Sequence, residues 1–154
     1  MNVRINNPYP YGPLTQDRLA EFERNSRLTL PDDYRDFLFQ NNGGQPTPAF
    51  FWIEPQKDGS EVHQFYGLHN GPAYLSIDTY TGEERYGIPS TMLPIGDDGL
   101  GDFICLGISA TNFGEVYFLD HERHPYDKPD SDEGITKLAE SFSEFFLSLQ
   151  ESPE

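Results

Sequence analysis

The residues best suited to chemistry lie in the second half of the chain, where several carboxylates are close together. The segment GDDGLGD, residues 96–102, has the composition of a calcium-binding loop. An EF-hand loop needs acidic ligands at positions 1, 3 and 5 and a glutamate at position 12. Counting from Asp97 or from Asp98 does not satisfy this spacing. We therefore interpret the segment as an acidic β-turn.

Two histidines follow within a polar segment and raise the question of a metal site. His121 and His124, with Glu122 between them, are candidate ligands. A zinc site needs at least three protein ligands of defined geometry, and this spacing in a loop supplies no defined third ligand. We interpret these side chains as surface loop residues, and we expect neither a required metal nor a cofactor.

Nucleophilic and acid–base catalysis find no complete set of residues. Cys105 lies within a run of Phe, Ile and Leu, where a thiol is usually inert filling. A nucleophilic cysteine would need a partner histidine and some exposure. Glu83 and Glu84 could pair with another carboxylate for acid–base catalysis, but nothing in the sequence places them in a cleft. The sequence predicts a protein that is not an enzyme.

The charge of the chain is strongly negative and unevenly distributed. The 154 residues carry a formal net charge of −16. Residues 1–77 hold nine acids against six Lys/Arg, whereas residues 78–154 hold seventeen against four, a difference of −13. Such a field repels nucleic acid and anionic membranes and attracts a basic partner. The alternative is that the acidity only keeps the protein soluble.

Length and cysteine content favour a small cytoplasmic protein. A chain of this length most often forms one domain. The single cysteine excludes an internal disulfide and fits a reducing compartment. The first twelve residues, MNVRINNPYPYG, lack the apolar run of a signal peptide. No stretch approaches the ~20 apolar residues of a membrane span. We expect a cytoplasmic location.

Three helices are predicted from local signals at their ends. Thr15 can cap a first helix that runs to about Ser26 with Leu19 and Phe22 facing inward. Ser141 and Glu144 form a capping box for a last helix. Its apolar stripe comprises Phe142, Phe145, Phe146 and Leu149.

The second helix is predicted from the segment LPDDYRDFLFQNNGG, residues 30–44. Pro31 suits the first helical position, and Asp32 and Asp33 suit the positive end of the helix dipole. Asn42 and Gly43 tolerate the left-handed conformation that ends a helix. The inward stripe comprises Tyr34, Phe37, Leu38 and Asn41.

The segment between the second and last helices is rich in predicted strands. Aromatic and β-branched runs bounded by Pro and Gly predict a central antiparallel sheet. Its strands are expected near residues 48–54, 62–68, 93–96, 102–108 and 115–119. Asp58–Gly59 is predicted as a hairpin turn between the first two, and SIDTY, residues 76–80, as one helical turn. Several strands are apolar on both faces, so each face needs cover or forms a groove.

The order of two helices, about five strands and a helix predicts an α+β fold. Side chains from all three regions are expected in one core. Those expected to be largely buried are Phe37, Leu38, Phe103, Cys105, Phe118 and Phe142.

With these elements in place, the chain resembles the SMI1/KNR4, or SUKH, superfamily. The matching segments are LPDDYRDFLFQNNGG, the pair PIGDDGLGDFICLGI and EVYFLDHE, and the closing LAESFSEFFLSL. They occur in the family's order and extend over residues 14 to 149. The resemblance implies one α+β domain with a core of about residues 14–150. Its mostly antiparallel sheet would have five or six strands, packed with N-terminal and C-terminal helices.

The resemblance also implies a class of function. Many bacterial members are immunity proteins that bind and block a cognate toxin, often a nuclease. Fungal members are regulatory scaffolds linked to cell-wall synthesis, and they are longer with disordered flanks, so this chain is more similar to the bacterial type. The first hypothesis is therefore an immunity protein for a basic toxin. The alternative is a non-catalytic adaptor that binds a cytoplasmic or cell-wall-related partner.

The partner surface is predicted from the acids at the ends of two strands. Asp97, Asp98 and Asp102 flank the start of one strand, and Asp120 and Glu122 follow the end of EVYFL. In an antiparallel pair, the start of one strand lies beside the end of the next. We expect these five acids to gather at one edge of the sheet and to bind the toxin. The alternative is that they are ordinary solvated loop charges.

Overall fold

Twelve helices and strands make up the described part of the chain. The computed structural model describes residues 2–81 and 87–153. In chain order the elements are β1 (Arg4–Asn6), α1 (Gln16–Ser26), α2 (Asp32–Asn41), β2 (Gln45–Thr47), β3 (Phe50–Glu54), β4 (Asp58–Glu61), β5 (Gln64–Phe65), β6 (Met92–Asp97), β7 (Phe103–Gly107), β8 (Val116–Leu119), β9 (Ile135–Ala139) and α3 (Phe142–Ser148). Two 3₁₀ turns, Ala73–Leu75 and Ile77–Thr81, lie between β5 and β6. The second confirms the helical turn predicted in SIDTY. The predicted single-domain α+β fold is confirmed.

The ends of α1 and α2 are set by local chemistry. The Thr15 hydroxyl accepts a hydrogen bond from the backbone N–H of Arg18 at 3.1 Å, as its predicted cap role requires. Pro31 is the cap of α2 and not its first helical residue, so that prediction is wrong by one position. Its ψ of 147° is extended, while its carbonyl already accepts the first helical bond from Arg35. Asn42 ends α2 in the left-handed conformation with φ 46°, as predicted.

Helix α3 is capped as predicted and is fastened to α2. The Ser141 hydroxyl accepts from the backbone N–H of Glu144 at 3.1 Å. The Glu144 carboxylate accepts from the N–H of Glu140, one residue before the cap. The backbone N–H of Ser143 donates to the Asp33 carboxylate at 2.9 Å. The two acidic first turns therefore lie side by side.

The main sheet has five antiparallel strands in the order β5-β6-β7-β8-β9. The strands predicted near 93–96, 102–108 and 115–119 are confirmed as β6, β7 and β8. Two other expectations are wrong. The strand predicted near 48–54 is β3, which pairs with β4 in a separate hairpin, and the region 62–68 holds only the two-residue β5. Strand β9 and the β1–β2 pair were not predicted.

The β3–β4 hairpin turns three residues earlier than Asp58–Gly59. Asp58 is already paired with Glu54, and Gly59 with Trp52. Gln56 supplies the left-handed residue of the turn with φ 64°. A Cβ on Gly59 would lie 2.3 Å from the Phe50 ring, so this glycine permits close packing and does not make the turn.

The core lies on both faces of the main sheet. Ile104 is paired with Phe118, which contacts Phe51 of the hairpin, while α3 covers the same side through its Phe145. Phe103 points the opposite way and contacts Tyr80 of the second 3₁₀ turn. The burial predicted for Phe37, Leu38, Cys105, Phe118 and Phe142 is confirmed.

Phe103 is the exception among the predicted core residues. Its side chain is only partly buried, because the cover on its face of the sheet is incomplete.

Glu83 and Glu84 lie outside the described residues. Within residues 2–81 and 87–153, no helix has the length and apolar character needed to span a membrane.

Candidate functional site

The register of three strands places the acidic turn beside the end of β8. Asp97 is opposite Phe103 in the β6–β7 pair, and Phe103 is opposite Leu119 in the β7–β8 pair. Asp102, just before β7, and Asp120, just after β8, therefore lie side by side at the edge of the sheet. Ligand atoms of Asp102, Asp120 and His121 lie within 4.8 Å of one another. We call the surface formed by Asp97, Asp98, Asp102, Asp120 and Glu122 the acidic edge.

Asp98 holds the turn together and offers little of its charge to a partner. Its side chain accepts hydrogen bonds from the backbone N–H groups of Leu100 at 2.9 Å and Asp102 at 3.1 Å. The Ser60 hydroxyl of β4 donates to its other oxygen at 3.1 Å. The residue is only 8% exposed. Asp98 therefore positions the other acids.

The two glycines inside this turn are required by the backbone and by a neighbour. Gly99 and Gly101 have φ angles of 77° and 102°, in the left-handed region that side chains rarely adopt. A Cβ on Gly101 would also lie 2.9 Å from the ring of His121. These two glycines therefore allow the β6–β7 turn to lie against the end of β8.

Asp102 and His121 form a hydrogen-bonded pair across the acidic edge. The Asp102 carboxylate accepts from the backbone N–H of His121 at 3.0 Å and lies 2.6 Å from its Nδ1. This bond raises the pKa of His121, and the carboxylates of Glu122 and Asp120 act in the same direction. Burial, with the neighbouring Asp98, raises the pKa of Asp102, although the bonds from His121 oppose that change.

We expect the pKa of His121, measured by NMR titration, to lie above the ordinary histidine value of about 6.5. Asp102→Asn should move it back toward that value, because the negative partner is removed. Because the pKa of His121 is raised in the folded state, its pairing with Asp102 contributes fully to folding stability at pH values below the pKa of His121 in the unfolded chain. This contribution is lost as the pH rises through the pKa of His121 in the folded protein.

Asp36→Asn is the matched control for this titration, since it removes one exposed acid from α2. It should leave the His121 titration in place. A His121 pKa at or below the ordinary value, or one that Asp102→Asn does not lower, would contradict the pairing.

The two candidate metal-ligating histidines differ in their surroundings: His121 is exposed and His124 is not. His124 is buried, so its assignment to the surface is wrong. Its ring nitrogens lie 2.8 Å from the Glu133 carbonyl and 3.0 Å from the Gly87 carbonyl, and these contacts hold the loop after β8. The described residues that could offer three ligands to a cation are instead Asp102, Asp120 and His121. One Asp102 oxygen is already in contact with Nδ1 of His121.

An aromatic groove of about 400 Å³ opens beside the acidic edge. We use that name for the groove lined by His63, Tyr66, Tyr74, Tyr80, Asp97, Gly99, Gly101 and Phe103. The rings of Tyr66 and Tyr80 stack with centroids 5.5 Å apart, and Phe103 meets Tyr80 edge-on at 5.6 Å. Tyr74 at its rim is 66% exposed, and Leu100 at the tip of the turn is 73% exposed.

Comparison with known proteins places this architecture in a family. A model of the SMI1 / KNR4 family (SUKH-1) matches residues 13–148. The chain belongs to the SMI1/KNR4 (SUKH-1) family. It is also 31% identical over 159 aligned positions to the SPbeta prophage-derived uncharacterized protein YokK of Bacillus subtilis (strain 168). That alignment covers 90% of this chain and 76% of YokK. The resemblance drawn from the sequence is confirmed.

The matched range extends from before α1 to the last residue of α3. The acidic edge and the aromatic groove are therefore parts of the SUKH-1 domain itself and not additions to it. The sequence indicated the acids of this region, and it indicated a groove only as an alternative to a covered sheet face, without its lining residues. The available signal was the two-sided apolar character of β7, which leaves one face in need of cover.

Proposed function

We propose that this SUKH-1 protein is an immunity-type inhibitor that binds a cognate protein toxin through its acidic edge. The observation that carries the proposal is the gathering of carboxylates from the β6–β7 turn and the β8 end, beside an open aromatic groove. Family membership supports the immunity class. The protein would act by stoichiometric binding in the cytoplasm, and no catalytic step is needed.

The toxin best matched to this surface is a basic one, with a nuclease as the leading class. Nucleases hold phosphates with cationic side chains, and these are the groups that an acidic inhibitor can cover. The net charge of −16 extends the attraction well beyond direct contacts. Such steering can raise association rates to about 10⁸–10⁹ M⁻¹s⁻¹ at low salt. Rapid capture stops a toxin before it turns over substrate.

The acids contribute unequally to this surface. Glu122 is exposed, and Asp97, Asp102 and Asp120 are partly buried, whereas Asp98 is buried in the turn. Charge reversal at Asp98 would disturb the fold as well as the surface. Asp120 and Glu122 are the better positions at which to test binding.

The cellular test uses the gene beside the one that encodes this chain. If it encodes a large secreted protein with a variable C-terminal domain, that domain is expressed alone and together with this chain. The expected result is growth arrest by the domain, relief on co-expression, and a stoichiometric complex after purification. Arrest that co-expression does not relieve would contradict the proposal. A partner that binds but is harmless alone would favour the adaptor alternative.

We expect Asp120→Lys/Glu122→Lys to slow association with the toxin domain by about tenfold at low salt. The salt dependence should flatten, because the reversed charges remove part of the long-range attraction. The control is Asp17→Lys/Asp36→Lys, which makes the same change in net charge at exposed positions on α1 and α2. Stopped-flow kinetics over a salt series compare the two.

Equal association rates for the two double variants would remove the acidic edge from the interface. Circular dichroism must first show that both are folded, because the Asp120 side chain accepts a hydrogen bond from the backbone N–H of Glu122.

A further inference from the structure

We infer that the aromatic groove is the receptor for an arginine side chain of the partner. The inference rests on the proposed function, since it names the chemistry that this inhibitor recognises. Its basis is the combination of aromatic walls, one oriented carboxylate and open access in a single groove next to the acidic edge.

The walls of the groove suit a flat cation. Tyr66 and Tyr80 are buried and stacked, with an interplanar angle of 11°, so they form a rigid base. The hydroxyl of Tyr80 donates to the backbone carbonyl of Tyr74 at 2.8 Å, which fixes the segment that carries the exposed Tyr74 ring. Tyr74 is 66% exposed, and its ring supplies the open aromatic face, which attracts a guanidinium group by cation–π interaction and by stacking.

The Asp97 carboxylate is oriented by two hydrogen bonds and can still accept others. One oxygen accepts from the N–H of Gly99 at 3.0 Å, and the other accepts from the hydroxyl of Tyr66 at 2.8 Å. Two ordinary bonds leave each oxygen with further acceptor capacity. The two oxygens together match the paired N–H donors of a guanidinium.

No internal cation occupies this carboxylate in the described part of the chain. Among residues 2–81 and 87–153, neither a lysine nor an arginine lines the groove, and Asp97 is in no ion pair. The carboxylate is therefore open to a cation from a protein partner with basic side chains, as proposed above.

Arginine fits this combination better than the other ligands that could enter. A lysine ammonium is a strongly hydrated point charge and gains less from stacked rings. A phosphate or other anion would meet Asp97 and the net charge of −16. A neutral aromatic group would leave the Asp97 oxygens unused. Arginine is also among the residue types that dominate binding energy at protein interfaces.

The test is an NMR titration of the full chain with three capped pentapeptides, Gly-Gly-Xaa-Gly-Gly. Xaa is arginine, lysine or citrulline, which has the shape of arginine without its charge. We expect arginine to bind about three- to tenfold more tightly than lysine and citrulline to show no saturable binding. The shifted amides should include Gly99 and Phe103. Equal binding of the three peptides, or shifts confined to other surfaces, would overturn the inference.

Two variants and a control test whether the arginine peptide binds at Asp97 and Tyr74. Asp97→Asn keeps the shape and an acceptor for Gly99, and it should weaken arginine binding by about tenfold. Tyr74→Ala changes an exposed ring and should reduce the preference for arginine over lysine. The control Asp36→Asn loses the same charge on α2. Equal losses in Asp97→Asn and Asp36→Asn would show a general charge effect and overturn the assignment.

The peptide titration uses this chain alone, so its outcome does not depend on any toxin. Arginine-selective binding without protection from the toxin domain would reject the inhibitor role and keep the arginine receptor. Full toxin binding by Asp97→Asn/Tyr74→Ala would reject the groove as the toxin contact and leave the inhibitor role standing.

Discussion

Replacing Phe37 by alanine is expected to lower the free energy of unfolding by about 3–5 kcal/mol. Phe37 is 5% exposed and lies where α2 meets α3 and β5. Its ring centroid is 5.0 Å from that of Phe142, 5.2 Å from that of Phe65 and 5.8 Å from that of Phe146. Alanine would leave a cavity among rings that are held by separate elements and cannot all move inward.

Urea unfolding provides the measurement, with the single tryptophan, Trp52, as a fluorescence probe. The midpoint should fall while the slope stays unchanged, because the mutation alters stability and not the surface exposed on unfolding. Gln40→Ala is the control on the exposed side of the same helix and should change stability by less than about 0.5 kcal/mol. A loss of less than about 1 kcal/mol for Phe37→Ala would contradict the packing.

Tyr34→Phe, in the same aromatic cluster, is not expected to lower the free energy of unfolding. The Tyr34 ring meets Phe142 edge-on at 5.2 Å, but its hydroxyl is buried with no hydrogen-bond partner among residues 2–81 and 87–153. Burial also raises the pKa of this hydroxyl. Removing the oxygen keeps the ring and removes an unpaired polar group, so stability should be unchanged or higher by about 1–2 kcal/mol. A loss as large as that of Phe37→Ala would show that the hydroxyl is bonded.

The helices were predictable because their signals are local. The caps at Thr15 and Ser141 and the left-handed stop at Asn42 each depend on neighbours within four residues. Pairing of strands depends on distant residues, and here prediction failed. Strand propensity located β3 but could not show that its partner is β4 and not the main sheet.

Strand β9 was missed because its sequence, ITKLA, mixes Ile and Thr, which favour strands, with Lys and Ala, which are depleted in them. It lies at the edge of the sheet, and its Lys137 amino group is 3.0 Å from Glu115 and 2.7 Å from Glu140. These carboxylates, together with the backbone pairing to β8, stabilise a strand that hydrophobic pattern alone does not indicate. An edge lysine of this kind also discourages pairing with other chains.

The acidic edge was partly predictable from the order of the strands. Because the start of β7 must lie beside the end of β8, the proximity of Asp102 and Asp120 followed from strand order. The burial of Asp98 did not, since it depends on Ser60 from a hairpin 38 residues away. The aromatic groove takes its walls from four separated segments, so the sequence indicated only that one face of β7 needs cover and not which residues line the groove.

Replacing Asn42 by alanine is expected to lower the free energy of unfolding by about 3–4 kcal/mol. The Asn42 amide donates to the carbonyls of Gly12 at 2.9 Å and Leu68 at 3.1 Å, and its side-chain oxygen accepts from the N–H of Leu68 at 2.8 Å. The residue is 1% exposed. Alanine would leave the backbone groups of Leu68 buried without these partners and would also have to adopt φ 46°.

Asn42→Gly separates the two causes, because glycine accepts the left-handed conformation without a side chain. It should be less destabilising than alanine by about 1 kcal/mol, and the remaining loss then measures the hydrogen bonds. Asn41→Ala, one position earlier and still within α2, should cost less than about 1 kcal/mol. Equal losses at the two positions would reduce Asn42 to a helix stop. The expected difference instead makes it the residue that ties α2 to the segments on both sides.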